Sequence, residues 1–388
     1  MTRDVRVLAR AKLTLSLRVL GRRPDGYHDL EALVVSLREP HDVVGLRIQP
    51  PFGVRVRLSG RAVVGVPADE TNLAARAARL LLDAAAEDDD PGPWAASGLD
   101  ISLHKSIPAG AGLGGGSADA AGTLVGGARL LGLGHDPVAL ATLAASLGSD
   151  VPFCVTGGIA WMRGRGEILH PLPFPAGPAR PPEPAGTSRP PPSAPSSPSS
   201  PGPPRSPGAP GPVGPPGPVG GPGPVPPGPP GAARLPAGFA PPGPAAGTPW
   251  PGEPEPAGLS LVVAVPPFGL STPAVYRAWD DLGGPSSDRA VPTPAGLVAG
   301  LELPGHLVND LEPAAEHLEP RLRPFREGLE RLAGGPALLA GSGSAYVVAV
   351  ASPTQAAVVA TQAGVELRAM AFATGLAPRG VEAQKGPD

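Results

Sequence analysis

Pro108-Ala109-Gly110-Ala111-Gly112-Leu113-Gly114-Gly115-Gly116-Ser117-Ala118 places five glycines in seven positions directly before an alanine-rich stretch whose pattern predicts a helix over 117–131. Glycine lets a backbone turn its N–H groups inward and approach a ligand closely. A helix N-terminus adds unpaired N–H groups and the positive end of the helix dipole. Together they form a cradle for phosphate, so the chain is read as handling a nucleotide. The strand that feeds the loop is marked by Leu99, Ile101 and Leu103.

The surroundings separate the known glycine-loop chemistries. A Walker A loop ends in Gly-Lys-Ser/Thr, and here Ser117 follows Gly116 with no lysine between. Gly110, Gly112 and Gly115 satisfy the dinucleotide spacing by letter, but Ser106-Ile107-Pro108 stands where the strand should end. The acidic residue that fingerprint requires downstream is met only by Asp136, in the loop signal His135-Asp136-Pro137. The HRD and DFG triplets of protein kinases are missing from the sequence.

The 388 residues, 41% hydrophobic, suffice for two domains with their own cores. A net charge of −3 offers no surface for polyanions, so no nucleic-acid partner is expected. The single cysteine, Cys154, lies in the apolar run Val151-Pro152-Phe153-Cys154-Val155 and reads as core in a reducing compartment. Neither a signal peptide nor a run of about 18 apolar residues is found, and a cytoplasmic chain without membrane contact is expected.

Composition breaks between 175 and 258, which hold more than half of the 59 prolines. Glycines fall on every third residue from Gly208 to Gly223, but the phase breaks at Val225-Pro226-Pro227, too early for a triple helix. The tract cannot bury enough apolar surface to order itself and is read as a disordered insertion, able at most to dock a proline-recognising partner. On either side the chain reads as mixed helix and strand. Residues 9–18 alternate as a half-buried strand presenting Lys12 and Thr14 on one face. Strands are expected at 33–37, 43–48, 54–58 and 259–265, and helices at 70–86, 137–147, 273–280, 308–317 and 321–332. A polar tail is expected from Pro378.

Only Lys12, Lys105 and Lys385 are lysines among 31 basic residues, so a retained lysine marks a place where a compact ammonium can matter. Lys12 and Lys105 read equally as solvated surface groups. Asp150, after Gly148-Ser149 and before Val151-Pro152-Phe153, reads either as a turn or N-cap aspartate or as a base able to take a hydroxyl proton.

Further motifs occur in order: Ala9-Arg10-Ala11-Lys12, Pro24-Asp25-Gly26-Tyr27-His28, the glycine loop, Gly148-Ser149-Asp150-Val151-Pro152-Phe153, Gly164-Arg165-Gly166-Glu167, Asn309-Asp310-Leu311-Glu312 and Gly341-Ser342-Gly343-Ser344. In this set the chain resembles the GHMP kinase superfamily outside the insertion and tail. Pro24 to His28 point to a member acting on a cytidine-diphosphate-linked polyol. The resemblance implies an α+β fold of two domains, with 1–174 like the second domain of ribosomal protein S5 and 259–377 ferredoxin-like, around 175–258 and before a flexible tail at 378–388. It implies that Pro108, Ala109, Gly110, Ala111, Gly112, Leu113, Gly114, Gly115, Gly116, Ser117 and Ala118 wrap the phosphates of ATP, with Mg²⁺ present and its protein ligands unassigned. Lys12 and Asp150 would be the catalytic pair. Tyr27 and His28 would hold the cytosine, Tyr276 would stack on its other face, and Thr272 would lie nearby. Thr14 stands where the family usually has Asn, keeping a hydrogen-bonding group but losing the amide's second one. A homoserine- or mevalonate-type kinase, which has no need of Tyr27-His28, and a non-catalytic proline-rich scaffold are the alternatives.

Overall fold

The computed structural model describes residues 4–49, 53–86, 98–133, 137–174, 259–284 and 308–384. The expected insertion at 175–258, together with Lys385, lies outside the described residues.

Two long strands, β1 (Asp4–Arg22) and β2 (His28–Gln49), form the spine of an eight-stranded sheet. Its main path is β12-β1-β2-β4-β3, using β3 (Val54–Gly60), β4 (Gly98–Lys105) and β12 (Val381–Gln384). The β5–β6 hairpin (Ile159–Gly164, Ile168–Leu172) and the short β11 (Leu376–Ala377) also pair onto it. Besides β1, β2 pairs with three further strands along its length: Leu30–Val35 with β5, Ser36 and Leu37 with β11, and Val43–Gln49 with β4. The stretches 33–37 and 43–48, expected as separate strands, are therefore one.

Helices α1 (Leu73–Ala86) and α2 (Gly115–Leu131) cover this sheet, with α3 (Pro137–Ala144) and α4 (Val151–Thr156) following. α1 starts later than expected because Asn72 Oδ1 accepts the N–H of Ala74 at 2.9 Å and caps the helix there. α2 carries glycines in its interior because it lies close on the strands. A Cβ at Gly126 would stand 2.6 Å from Leu46 Cδ1 and 2.7 Å from Val7 Cγ2.

The second sheet runs β10-β7-β9-β8, all antiparallel, from β7 (Ser260–Val265), β8 (Ala337–Leu339), β9 (Tyr346–Val350) and β10 (Met370–Thr374). With α5 (Thr272–Asp281), α6 (Glu312–Leu318), α7 (Leu322–Ala333) and α8 (Pro353–Glu366), the chain order gives the ferredoxin-like arrangement expected. All six residues of β7 are buried because both its faces are covered. Leu261, Val263 and Val265 join the core of the first sheet, whereas Val262 and Ala264 pack with the helices of the second.

The structure corrects several expectations. The polar face of β1 is not solvated: Arg10, Lys12, Thr14, Ser16 and Arg18 are all buried. Residues 308–310 cover part of that face, with Leu17 N–H donating to Val308 O and Asp310 N–H to Leu17 O. That extended segment also delays α6 to Glu312, and α3 ends at Ala144. Within the expected tail, residues 381–384 are not free. Val381–Gln384 pair antiparallel with β1 from Ala9 to Arg6, and Glu382 accepts from Arg10 Nη2 at 3.1 Å. β11 likewise pairs with β2, so the second domain ends at β10 and the chain then returns to the first sheet. This pairing uses backbone groups, which composition does not reveal. Among the described residues, no helix is long and apolar enough to cross a membrane.

Candidate active site

Lys12 and Thr14, two residues apart on β1, share a face. Lys12 Nζ donates to Thr14 Oγ1 at 3.2 Å and lies 3.3 Å from Asp150 Oδ2. Asp150 occupies the N-cap position of α4, yet its side chain accepts no capping hydrogen bond and turns to Lys12 instead. The cap reading of Asp150 is thereby set aside. Its side chain remains 31% exposed, open to the adjoining cavity. Cys154 is buried, and burial first, then Asp150, pushes its thiol well above the usual range, as expected for packing rather than chemistry.

The glycine loop is tied to both sheets. Lys12 N–H donates to Leu113 O at 3.0 Å, and Ala345 N–H donates to Ala111 O at 3.2 Å. Gly110, Gly112 and Gly114 adopt φ of 69°, 77° and 68°, a region that side chains disfavour. At Gly114 a Cβ would stand 2.7 Å from Lys12 Cγ. Gly115 has no such φ, and its Cβ would strike Ile107 Cγ2 at 2.9 Å, so that glycine serves packing beneath the helix. Residues 108–117 line the cavity. Ala118 does not: its side chain is in the core, and its N–H returns to Gly114 O at 2.8 Å.

Lys105 is not a surface lysine. It is 2% exposed, and its ammonium lies between the carboxylates of Asp42 and Asp119. Asp42 Oδ1 accepts the N–H groups of Ser106 (2.5 Å) and Ile107 (2.9 Å), so the cluster pins the entrance of the loop. Burial opposes the Lys105 charge, but Asp119 and Asp42 together hold its pKa above the ordinary value. Burial, then the neighbouring Asp42, pushes Asp119 well above the usual carboxylate range against the pull of Lys105. No sequence signal other than the scarcity of lysine marked this cluster.

His28 opens β2 at the other end of the cavity. Its ring stacks on Tyr276, with centroids 4.9 Å apart and planes 26° apart, and meets the edge of Trp279 at 5.5 Å. Tyr27 stands apart from that stack, 58% exposed, with the Arg165 guanidinium 5.0 Å from its ring centre. Thr272 Oγ1 lies 2.7 Å from Ser342 Oγ. Lys12, Thr14, Asp150, Tyr27, His28, Thr272 and Tyr276 all line one cavity of about 1060 Å³, together with the glycine loop. Asn309, quoted from sequence only as a motif, donates through Nδ2 to Leu339 O (2.8 Å) and Gly341 O (2.7 Å) and so fixes the turn facing Lys12. Among the described residues, no group of three or more His, Cys, Asp or Glu side chains is placed to hold a metal ion.

A glycine loop entering a helix beside a Lys–Asp pair, between these two sheets, defines the GHMP kinase class, and residues 72–158 match the GHMP kinases N terminal domain. The chain is 31% identical over 376 residues to the 4-diphosphocytidyl-2-C-methyl-D-erythritol kinase of Heliobacterium modesticaldum, covering 92% of this chain and 89% of that protein. It is 48% identical over 165 residues to the enzyme of that name from Acaryochloris marina, covering 42% and 49%. The chain belongs to the 4-diphosphocytidyl-2-C-methyl-D-erythritol kinase family. The matched part spans about half the length of several curated relatives, 49% for the A. marina protein and 56% for that of Pelotomaculum thermopropionicum. A crystal structure of 4-(cytidine 5'-diphospho)-2C-methyl-D-erythritol kinase is similar over 95% of this chain and 99% of that one, at 27% identity and a TM-score of 0.57. Mevalonate kinase of L. major, at 14% identity and a TM-score of 0.56, shares the fold.

Proposed function

We propose that the chain transfers the γ-phosphoryl group of ATP to the 2-hydroxyl of 4-diphosphocytidyl-2-C-methyl-D-erythritol. The observation that carries this reading is one cavity holding a Lys–Asp pair at the phosphate loop and a His–Tyr ring stack at its other end. Asp150 accepts the proton of the substrate hydroxyl as its oxygen attacks the γ-phosphorus, and the bond to the leaving ADP oxygen breaks. Lys12, 3.3 Å from Asp150, orients that carboxylate and offsets negative charge on the transferring group. Thr14 hydrogen-bonds the polyol or steadies Lys12. The N–H groups of the loop and of the first turn of α2 hold the phosphates.

The described residues fit a magnesium ion carried in on the nucleotide, since Mg²⁺ is ordinarily held by one or two carboxylates together with phosphates and water. When bound, it would neutralise charge on the phosphate oxygens. The cytosine lies in the space lined by Tyr27, His28 and Tyr276, where stacking contributes about 1–3 kcal/mol per base.

A coupled ATPase assay with the cytidine substrate, homoserine and mevalonate tests the reading. Turnover is expected with the first alone. Phosphorylation of homoserine or mevalonate instead would assign the chain to another GHMP substrate, and turnover with none would favour a scaffold.

A further inference from the structure

His28 is held on three sides by a single helix. Tyr276 and Asp280 stand four residues apart on α5 and so share a face, while Trp279 brings its ring edge to the imidazole. His28 Nε2 lies 2.8 Å from Asp280 Oδ1, and the histidine side chain is only 8% exposed. The second carboxylate oxygen of Asp280 faces Arg22 Nη1 at 3.7 Å. His28 also lines the cavity, and its Nδ1 has no partner among the described residues.

We propose that Asp280 is a positioning residue for substrate selection: by accepting the Nε2–H of His28 it fixes the tautomer in which Nδ1 presents a lone pair to the base edge, so that the site reads cytosine and rejects uracil. The proposal rests on the function given above. A neutral imidazole has one donor and one acceptor nitrogen, and the partner of one nitrogen sets the role of the other. Asp280 is acceptor-only when ionised and so compels Nε2 to donate. Cytosine offers an exocyclic N4 amino donor that an Nδ1 lone pair accepts. Uracil carries a carbonyl oxygen at that position, and two acceptors would face each other. Without Asp280 the ring can adopt the other tautomer, Nδ1 becomes a donor, and the discrimination is lost. The same logic governs metal-bound histidines, where the outer carboxylate fixes ring and tautomer.

The test uses the full chain, with 4-diphosphocytidyl-2-C-methyl-D-erythritol and its uridine counterpart as probes. In Asp280→Ala the KM for the cytidine substrate should rise about 10-fold to 100-fold, the range for leaving one polar partner of a site unmatched. The KM for ATP and kcat should stay within about threefold, while the cytidine-to-uridine ratio of kcat/KM collapses. Asp280→Asn, which keeps the Oδ1 acceptor, should recover part of the preference. ¹⁵N NMR of the histidine rings should show His28 protonated at Nε2 in the unaltered chain and mixed in Asp280→Ala. A purely structural role would lower kcat, ATP affinity and melting temperature together and leave the base preference intact, which would overturn the proposal. So would an Nδ1-protonated His28 in the unaltered chain. Failure of the unaltered chain to phosphorylate the cytidine substrate would instead remove the function on which the proposal rests.

Discussion

At the scale of single residues the proposed chemistry turns on Asp150, whose carboxylate is drawn from its helix cap toward Lys12. Asp150→Asn keeps the shape and removes the proton acceptor, and loss of general-base help typically costs about 10²–10⁴ in rate. The expected outcome is a fall in kcat of that order with circular dichroism and melting temperature unchanged. A folded variant within a few-fold of the original would show that another group takes the proton. Lys12 and Asp150 were each legible in the sequence as candidates, Lys12 because lysine is so rare here. Their pairing came only with the family resemblance, since it depends on how β1 and the turn before α4 meet across the glycine loop. Lys105 was misleading for the same reason: a lysine next to a loop says nothing about two buried carboxylates supplied by other elements.

At the scale of elements, α6 and α7 are joined by Arg326, whose guanidinium meets Glu316 at 2.9 Å, Glu312 at 3.2 Å and Glu330 at 3.3 Å. Glu312 Oε2 also accepts the N–H of Leu339 at 3.3 Å, linking the helices to β8. Burial outweighs both Leu339 and Arg326 and raises the Glu312 carboxyl from 4.5 to about 7. Between those values the folded chain keeps a proton that the unfolded chain has lost, so stability is fully present below the unfolded pKa and declines as pH rises toward 7. The full span amounts to about 3 kcal/mol, at about 1.4 kcal/mol per pH unit. Glu312→Gln should therefore gain stability relative to the original chain as pH goes from 4.5 to 7.5. Denaturant titrations across that range check it, and a constant difference would show that Glu312 does not titrate there. Long periodic elements such as α2, and apolar runs such as β7, were legible from their patterns. The six-residue α4, the β5–β6 hairpin and the four-residue β12 were not, because short elements carry too few positions for a period and owe their form to neighbours.

At the scale of the whole molecule, the two sheets share one core, and the tract at 175–258 is recognisable by composition alone. Replacing 176–257 by a short Gly/Ser linker should leave turnover and melting temperature nearly unchanged, because so proline-rich a segment contributes little apolar burial and loop length costs only about 0.6 kcal/mol per doubling. A large drop in either would mean that the tract packs on the catalytic body. The return of β12 to β1 sets a different condition, on biosynthesis. Arg6 pairs with Gln384, so the strand made first among the described elements has its outer neighbour supplied by the one made last. On the ribosome the first sheet must wait with the backbone of β1 unpaired on that side, and an unpaired strand edge is a template for other chains. A product released before β12 is translated would hold every candidate catalytic side chain and still be prone to aggregate. The last described strand therefore protects an edge of the first sheet without adding a side chain to the candidate site.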